Sequence, residues 1–162
     1  MLQPMPYAGL FPPAEGEFHP TAATRNLFVD TIDREAAGAI MEHLKASDAP
    51  IRAAELRVLG GAMARVPVEA TAFAHRHRRN MVNLAALYQG PGDRPRRQAW
   101  VDDLAAALHQ GDDDTYVNFL ADEGPERVRQ AYPGATWDRL VEVKRRWDPT
   151  NLFRRNQNIP PD

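Results

Sequence analysis

Apolar positions recur with a helical period in four parts of the chain. Residues 33–46 carry one buried stripe, and Asp33 suits the cap because its carboxylate can accept from the first free backbone N–H groups. The same spacing covers residues 98–109 and 137–147, and Pro125 fits the first turn of a short helix. The pattern therefore predicts four helices. The last of them is expected to pack on the core through a stripe made of Trp137, Leu140, Val141, Lys144 and Trp147.

Other segments alternate with the two-residue period of a strand. Residues 55–59 and 81–88 alternate clearly, and residues 25–31 fit a short strand or an apolar lead-in. Residues 70–77 and 115–120 alternate as well if they are extended. The glycines at 60 and 61 favour a bulge or tight bend after a strand. The sequence thus predicts an α+β fold, with a small antiparallel sheet of three or four strands covered by helices.

Composition narrows the class of protein. A chain of 162 residues with 43% apolar content can bury one core, so residues 1–162 are expected to form a single domain. Residues 1–24, rich in proline and small residues, are expected to be an irregular arm. The net charge of −2 indicates no nucleic-acid partner, and the chain has no cysteine for disulfides or thiolate sites. No apolar run is long enough for a membrane span and no secretory pattern opens the chain, which favours a cytoplasmic location.

Two groups of side chains could carry chemistry. His75 and His77 would share a face of an extended strand, but no further ligand completes a coordination set, so no metal site is predicted. Tyr116 and Asn118 would also share a face. They are either part of an ordinary strand with a core tyrosine, or a phenol and an amide that face a ligand together.

The most unusual stretch closes the chain. The last helix is expected to stop at Asp148-Pro149, because proline lacks a backbone donor and pushes its predecessor out of the helical region. Three amides then follow at Asn156, Gln157 and Asn158. Their donors and acceptors could line the edge of a heteroaromatic ring. The alternative is a tail whose amides bond the backbone in a turn.

These motifs resemble a known family. Y-V-N at 116–118, W-D-P-T-N-L-F at 147–153 and N-Q-N-I-P at 156–160 are similar to the C-terminal region of FAD-linked oxidases of the berberine bridge enzyme and vanillyl-alcohol oxidase type. The berberine-like motif covers residues 136–161, with Trp147 where tyrosine is usual. G-G-A at 60–62 and A-F-A-H-R at 72–76 look like the same family's substrate domain.

The resemblance implies an oxidoreductase that transfers a hydride from an alcohol or amine substrate to FAD. It further implies that Tyr116 handles the proton and borders the cofactor, with Asn118, Asn156 and Asn158 binding near the flavin. His75 and Arg76 become candidates for lining the substrate pocket. FAD and a small-molecule substrate are the implied ligands.

The resemblance also implies that the N-terminal FAD-binding domain lies outside this chain, because neither a glycine-rich phosphate loop nor a histidine-bearing flavin-attachment motif is found. A separate chain could supply that domain, and the chain could also form a homo-oligomer. The alternative functions are an inactive remnant and a small module that binds a ligand or a protein partner.

Overall fold

The computed structural model describes residues 5–7, 21–155 and 157–161. Within these residues, three strands form one antiparallel sheet in the order β1-β3-β2, and four α-helices accompany it. The α+β class expected from the sequence is confirmed. The strands are β1 (Thr21–Val29), β2 (Arg52–Val58) and β3 (Asn80–Tyr88), and the helices are α1 (Arg34–Ala46), α2 (Arg94–Leu108), α3 (Pro125–Ala131) and α4 (Ala135–Trp147).

The main core lies between one face of the sheet and helices α1 and α2. The alternation in β3 sends every second side chain to this face, and Val82, Leu84 and Ala86 are fully buried there. Val101 and Leu104 meet them from α2 and are also fully buried. Removal of this apolar surface from water is the main stabilising contribution to the fold.

The start of α1 was predicted correctly, whereas α2 begins at Arg94, four residues before the expected start at residue 98. Asp33 caps α1 as expected, with its carboxylate accepting from Ala36 N at 2.9 Å. Strand β1 begins at Thr21, so the last residues of the expected irregular arm belong to the sheet. Residues 8–20 of that arm lie outside the described residues.

Two expected strands are wrong. No strand forms over residues 70–77, where a 3-10 turn at Val68–Ala70 is followed by bends and turns, and residues 115–120 contain a 3-10 turn at Val117–Phe119. In β2 the expected half-buried side chains face solvent, since Leu56 is 44% and Val58 85% exposed. After β2 the chain does make the expected tight bend, and Gly60 and Gly61 have φ of 131° and 58°.

The closing helix forms where expected but does not face the core. Thr136 is its one buried residue, while Trp147 is 72% exposed with the Arg146 guanidinium over its ring. The expected packing on the core is therefore wrong for Trp147. The rest of the stripe is half-buried outside the main core cluster, at Trp137, Leu140, Val141 and Lys144. Helical spacing identifies the apolar face of a helix, but it does not identify the surface that buries this face.

Asp148 explains the turn that follows α4. Its carboxylate accepts from Leu152 N at 2.7 Å and Phe153 N at 3.0 Å, and it pairs with Lys144. Asn151 closes the turn with φ of 52°, a left-handed conformation that asparagine tolerates. The D-P-x-N sequence is thus a capped turn, which holds Leu152 and Phe153 outward.

In the part of the chain that the structure describes, no helix combines the length and apolar character needed to cross a bilayer.

Candidate functional site

A short turn carrying Tyr116 and Asn118 lies on the face of the sheet opposite α1 and α2. The cross-strand register puts Asn26 on this face, and its fully buried side chain holds the turn. Asn26 Oδ1 accepts from Thr115 Oγ1 at 2.7 Å and from Tyr116 N at 2.6 Å. A residue of β1 therefore fixes the start of a turn some 90 residues later.

The phenol and the amide of this turn are joined directly. Asn118 Nδ2 donates to Tyr116 Oη at 2.7 Å, with Asn118 exposed and Tyr116 half-buried. The two side chains come together through one turn of 3-10 helix and not, as expected, through a shared strand face. An amide that donates to a phenol oxygen stabilises negative charge on that oxygen.

Two aromatic rings contact Tyr116. The Phe73 ring meets it edge-on at 5.7 Å between centroids, and the Phe119 ring lies at 5.7 Å with its plane tilted by 58°. Phe73 in turn contacts Phe28 and His75. Such contacts fix the ring of Tyr116 while its hydroxyl stays at the surface.

A charged cluster anchors the chain just before Tyr116. Asp114 accepts two hydrogen bonds from Arg78, at 2.9 and 2.7 Å, and its Oδ2 lies 3.2 Å from His75 Nδ1. Burial opposes ionisation of Asp114, but the hydrogen bonds and charges of His75 and Arg78 outweigh it and lower its pKa to about 2. The carboxylate is thus ionised at neutral pH and ties the turn to the loop before β3.

The closing segment meets the same turn. Gln157 Nε2 donates to Leu120 O at 2.9 Å and to Ala121 O at 3.3 Å. Gln157 and Asn118 border one open concavity of about 570 Å³, whose other walls are Val117, Leu120, Ala121 and Asp122. The concavity lies beside a pair of hydrogen-bonded polar groups, and the tail forms one of its edges.

The other amides of the tail are placed differently. Asn156 lies outside the described residues. Asn158 borders a neighbouring concavity of about 340 Å³, which also includes Gln157, and its Oδ1 is buried with no hydrogen-bond partner in the described part of the chain. An unpartnered buried acceptor is costly, so this oxygen is a candidate for contact with a further group.

Both residues expected to line the substrate pocket, His75 and Arg76, make contacts within the protein. His75 is 1% exposed, and its Nε2 lies 3.1 Å from Ala131 O. Arg76 donates to Met63 O and Thr71 Oγ1 and lies over the Phe73 ring. His75 therefore stabilises the loop from inside, and Arg76 braces the aromatic support of Tyr116.

Sequence reasoning missed Asn26, Asp114 and Gln157 as parts of the site. Asn26 was detectable, since it is a polar residue directly before the apolar run of β1. Gln157 stands inside the amide cluster but was not singled out. Nothing local marks Asp114, because its role depends on a contact with Arg78, 36 positions away.

The closing part of the chain, from the Tyr116 turn onward, is similar in sequence to a known family of proteins. Residues 115–160 match the sequence model of the family described as berberine and berberine like. This segment contains the Tyr116 turn, α4 and the closing amides. The chain therefore resembles FAD-linked oxidoreductases of the berberine bridge type, as its motifs predicted.

Two sequence relatives have names that belong to this class of oxidoreductases. The FAD-linked oxidoreductase YvdP of Bacillus subtilis is 34% identical over 102 residues, a stretch that covers 63% of this chain and 23% of YvdP. Berberine bridge enzyme-like 1 of Arabidopsis thaliana is 31% identical over 119 residues, covering 62% of this chain and 22% of its own length. The chain thus spans about a quarter of the curated relatives it matches.

Solved structures share the fold. The berberine bridge enzyme of Eschscholzia californica superposes with a TM-score of 0.75 at 21% identity, over 91% of this chain and 34% of that one. Berberine bridge enzyme-like 1 of Physcomitrella patens gives 0.76 at 18% identity, over 92% and 32%. The three-stranded sheet and its helices are therefore an architecture that also occurs within these larger proteins.

Proposed function

We propose that this chain forms the substrate-facing part of an FAD-linked oxidoreductase that oxidises an alcohol or amine. The observation that carries the proposal is the 2.7 Å hydrogen bond from exposed Asn118 to Tyr116 Oη, at the edge of a concavity that Gln157 also borders. A phenol beside an amide, in an open site, is suited to proton transfer next to a polar ring. Sequence relatives named as FAD-linked oxidoreductases support the proposal that this ring is a flavin.

The described residues fit the ring of FAD better than its phosphates. Asn118 and Gln157 supply amide groups at the concavity, and Asn158 has an unpartnered oxygen nearby. A pyrophosphate needs backbone N–H groups or cations held around it, as at a glycine-rich helix start. The described part of the chain has no such cradle beside the concavity. We therefore propose that the ring lies against this chain and that the pyrophosphate lies in another part of the enzyme, on the same polypeptide or a separate one.

Each part of the site has a role in the proposed reaction. FAD, when bound, supplies the chemistry that accepts a hydride from the substrate carbon. Tyr116 moves the proton that leaves the substrate hydroxyl or amine. Asn118 stabilises the charge that develops on Tyr116 Oη, because its amide already donates to that oxygen. Asn26 and Asp114 hold the turn in register with the sheet.

The surface around α4 is proposed to dock on the flavin-binding part of the enzyme. Trp147 and Leu152 are each 72% exposed and Phe153 is 78% exposed, which is unusual for large apolar side chains close together in sequence. Exposed arginines flank them at positions 145, 146, 154 and 155. An apolar centre with a basic rim is complementary to a protein surface with an apolar centre and acidic rim.

A flavin titration tests the proposed function. The purified chain at high FAD concentration is expected to perturb the visible flavin band, and Asn118→Ala is expected to weaken that effect. Gln98→Ala, a change in an amide of α2 on the other side of the sheet, is the matched control and should leave it unchanged. A flavin spectrum that the chain does not alter would contradict the proposal and favour an inactive remnant or a module for other partners.

A further inference from the structure

The cross-strand register extends the Tyr116 site across the sheet. On the face that carries the turn, Phe28 of β1 stands opposite Met81 of β3, and Met81 stands opposite Arg57 of β2. Phe28 and Met81 are buried beneath the aromatic cluster, whereas Arg57 is exposed. Arg57 is therefore the solvent-facing end of a row that begins beneath the Tyr116 turn.

Two contacts fix the guanidinium of Arg57. Its Nε donates to Glu55 Oε1 at 2.7 Å, and its Cζ lies 4.7 Å from the centroid of the Phe119 ring. The hydrogen bond and the charge of Arg57 hold the pKa of Glu55 below its usual range, so the carboxylate stays charged at neutral pH. Stacking and the bond to Nε together set the plane of the guanidinium.

The two terminal nitrogens of Arg57 have no hydrogen-bond acceptor among the described residues. Arg76, the other arginine stacked on this aromatic cluster, has both of its terminal nitrogens occupied, by Met63 O and Thr71 Oγ1. Arg78 is likewise occupied by Asp114, Asp112 and Asp30. Of these three arginines, Arg57 alone has both terminal nitrogens without an acceptor among the described residues, and the Phe119 ring on which it stacks also contacts Tyr116.

We propose that Arg57 binds a carboxylate of the substrate and thereby selects anionic substrates for the site at Tyr116. A guanidinium whose plane is fixed matches two carboxylate oxygens in a bidentate pair. Glu55 lies beside the fork, and its negative charge disfavours a dianion such as phosphate more than a singly charged carboxylate. Phe119 adds an aromatic surface that suits a flat apolar group next to the carboxylate.

The proposal rests on the proposed function only in calling the bound molecule a substrate. Binding of a carboxylate to the chain itself needs no flavin and no turnover. A chain that binds a carboxylate at Arg57 but never perturbs FAD would keep the anion site and overturn the proposed function. A chain that perturbs FAD but does not bind carboxylates would keep the proposed function and overturn the anion site.

Benzoate is the probe, followed by nuclear magnetic resonance of the isotope-labelled chain. We expect benzoate to shift the signals of Arg57 Nε–H and of the backbone around Phe119, and benzamide, its uncharged analogue, to bind more weakly. Arg57→Met should weaken benzoate binding about tenfold or more, because it removes a charged hydrogen-bonding group. Arg57→Lys should restore part of the affinity, since the charge remains while the planar fork is lost.

Arg34→Met is the matched control, because Arg34 is an exposed arginine at the start of α1, on the far side of the molecule from the Tyr116 turn. It should bind benzoate as the unmodified chain does. Equal weakening by Arg34→Met would show general attraction to positive charge and would overturn the proposal. So would tighter binding of inorganic phosphate than of benzoate, or benzoate shifts that Arg57→Met leaves unchanged.

Discussion

Asn26 shows how a single side chain couples the sheet to the candidate site. It is fully buried, and its Oδ1 takes hydrogen bonds from Thr115 and from the backbone of Tyr116. Its Nδ2 is buried without a partner among the described residues. Burial of a polar group in the middle of a strand costs free energy. The hydrogen bonds by which Asn26 holds the turn offset this cost. The polar interruption of β1 is visible in the sequence, but the partner of Asn26 is not.

Asp114 makes part of the stability depend on pH. Its pKa of about 2 in the folded chain lies below the ordinary value of 3.8. A carboxyl whose pKa falls on folding stabilises the fold above its unfolded pKa, and that contribution is lost as pH falls through the folded value. We therefore expect Asp114→Asn to lower the free energy of unfolding at pH 7 by about 1–2 kcal/mol, allowing for solvent screening.

Urea unfolding at several pH values checks this expectation. The difference between Asp114→Asn and the unmodified chain should shrink as the pH falls from 4 toward 2. A difference that stays constant over this range would show that the effect of the substitution does not come from the carboxylate charge.

Tyr116 is expected to act in turnover and not in flavin binding. If a flavin-binding partner restores activity, Tyr116→Phe should lower the rate about 10²–10⁴-fold, the usual contribution of a group that transfers a proton. Flavin should remain bound, because the ring and its aromatic contacts persist. Tyr88→Phe is the control, since Tyr88 lies in the core on the other face of the sheet. A similar rate loss in both variants would contradict the role of Tyr116.

At the scale of elements, the sequence predicted regular segments well and irregular ones poorly. α1 has a local cap at Asp33, and β3 has strict alternation, so short-range rules were sufficient for both. Residues 70–77 and 115–120 also alternate, yet they are turns held by distant partners, Ala131 for His75 and Asn26 for Tyr116. Local periodicity cannot register contacts that join residues far apart in the chain.

The burial of α2 and the exposure of α4 predict opposite responses to truncation. Leu104→Ala should destabilise the fold by about 2–5 kcal/mol, because Leu104 is fully buried between α2 and the sheet. Trp147→Ala should change the free energy of unfolding by no more than about 0.5 kcal/mol, since most of its side chain is already in water. Denaturant unfolding of the two variants measures both. Comparable losses would show that Trp147 packs on the core after all.

At the scale of the whole molecule, the exposed surface of α4 and its turn should make the isolated chain associate with itself. Trp147, Leu152 and Phe153 are each at least 72% exposed, and apolar surface of this kind favours contact with another protein. We expect sedimentation velocity to show association that grows with concentration, and an apolar dye to bind. Replacing Trp147 and Phe153 by serine should reduce both effects.

Met41→Ser provides the control for that experiment. Met41 is 52% exposed on α1, away from the proposed docking surface. Its replacement should leave association unchanged. Monomeric behaviour of the unmodified chain at high concentration, without dye binding, would count against a docking role for the surface around α4.

The position of a flavin on the chain tests the central claim most directly. It can be measured by titrating the isotope-labelled chain with FAD and following its backbone and side-chain amide signals by nuclear magnetic resonance. We expect shifts centred on Tyr116, Asn118 and Gln157, with α1 and α2 unaffected. Shifts confined to the α1 and α2 side, or no shifts at any FAD concentration, would contradict the claim that this chain borders a flavin.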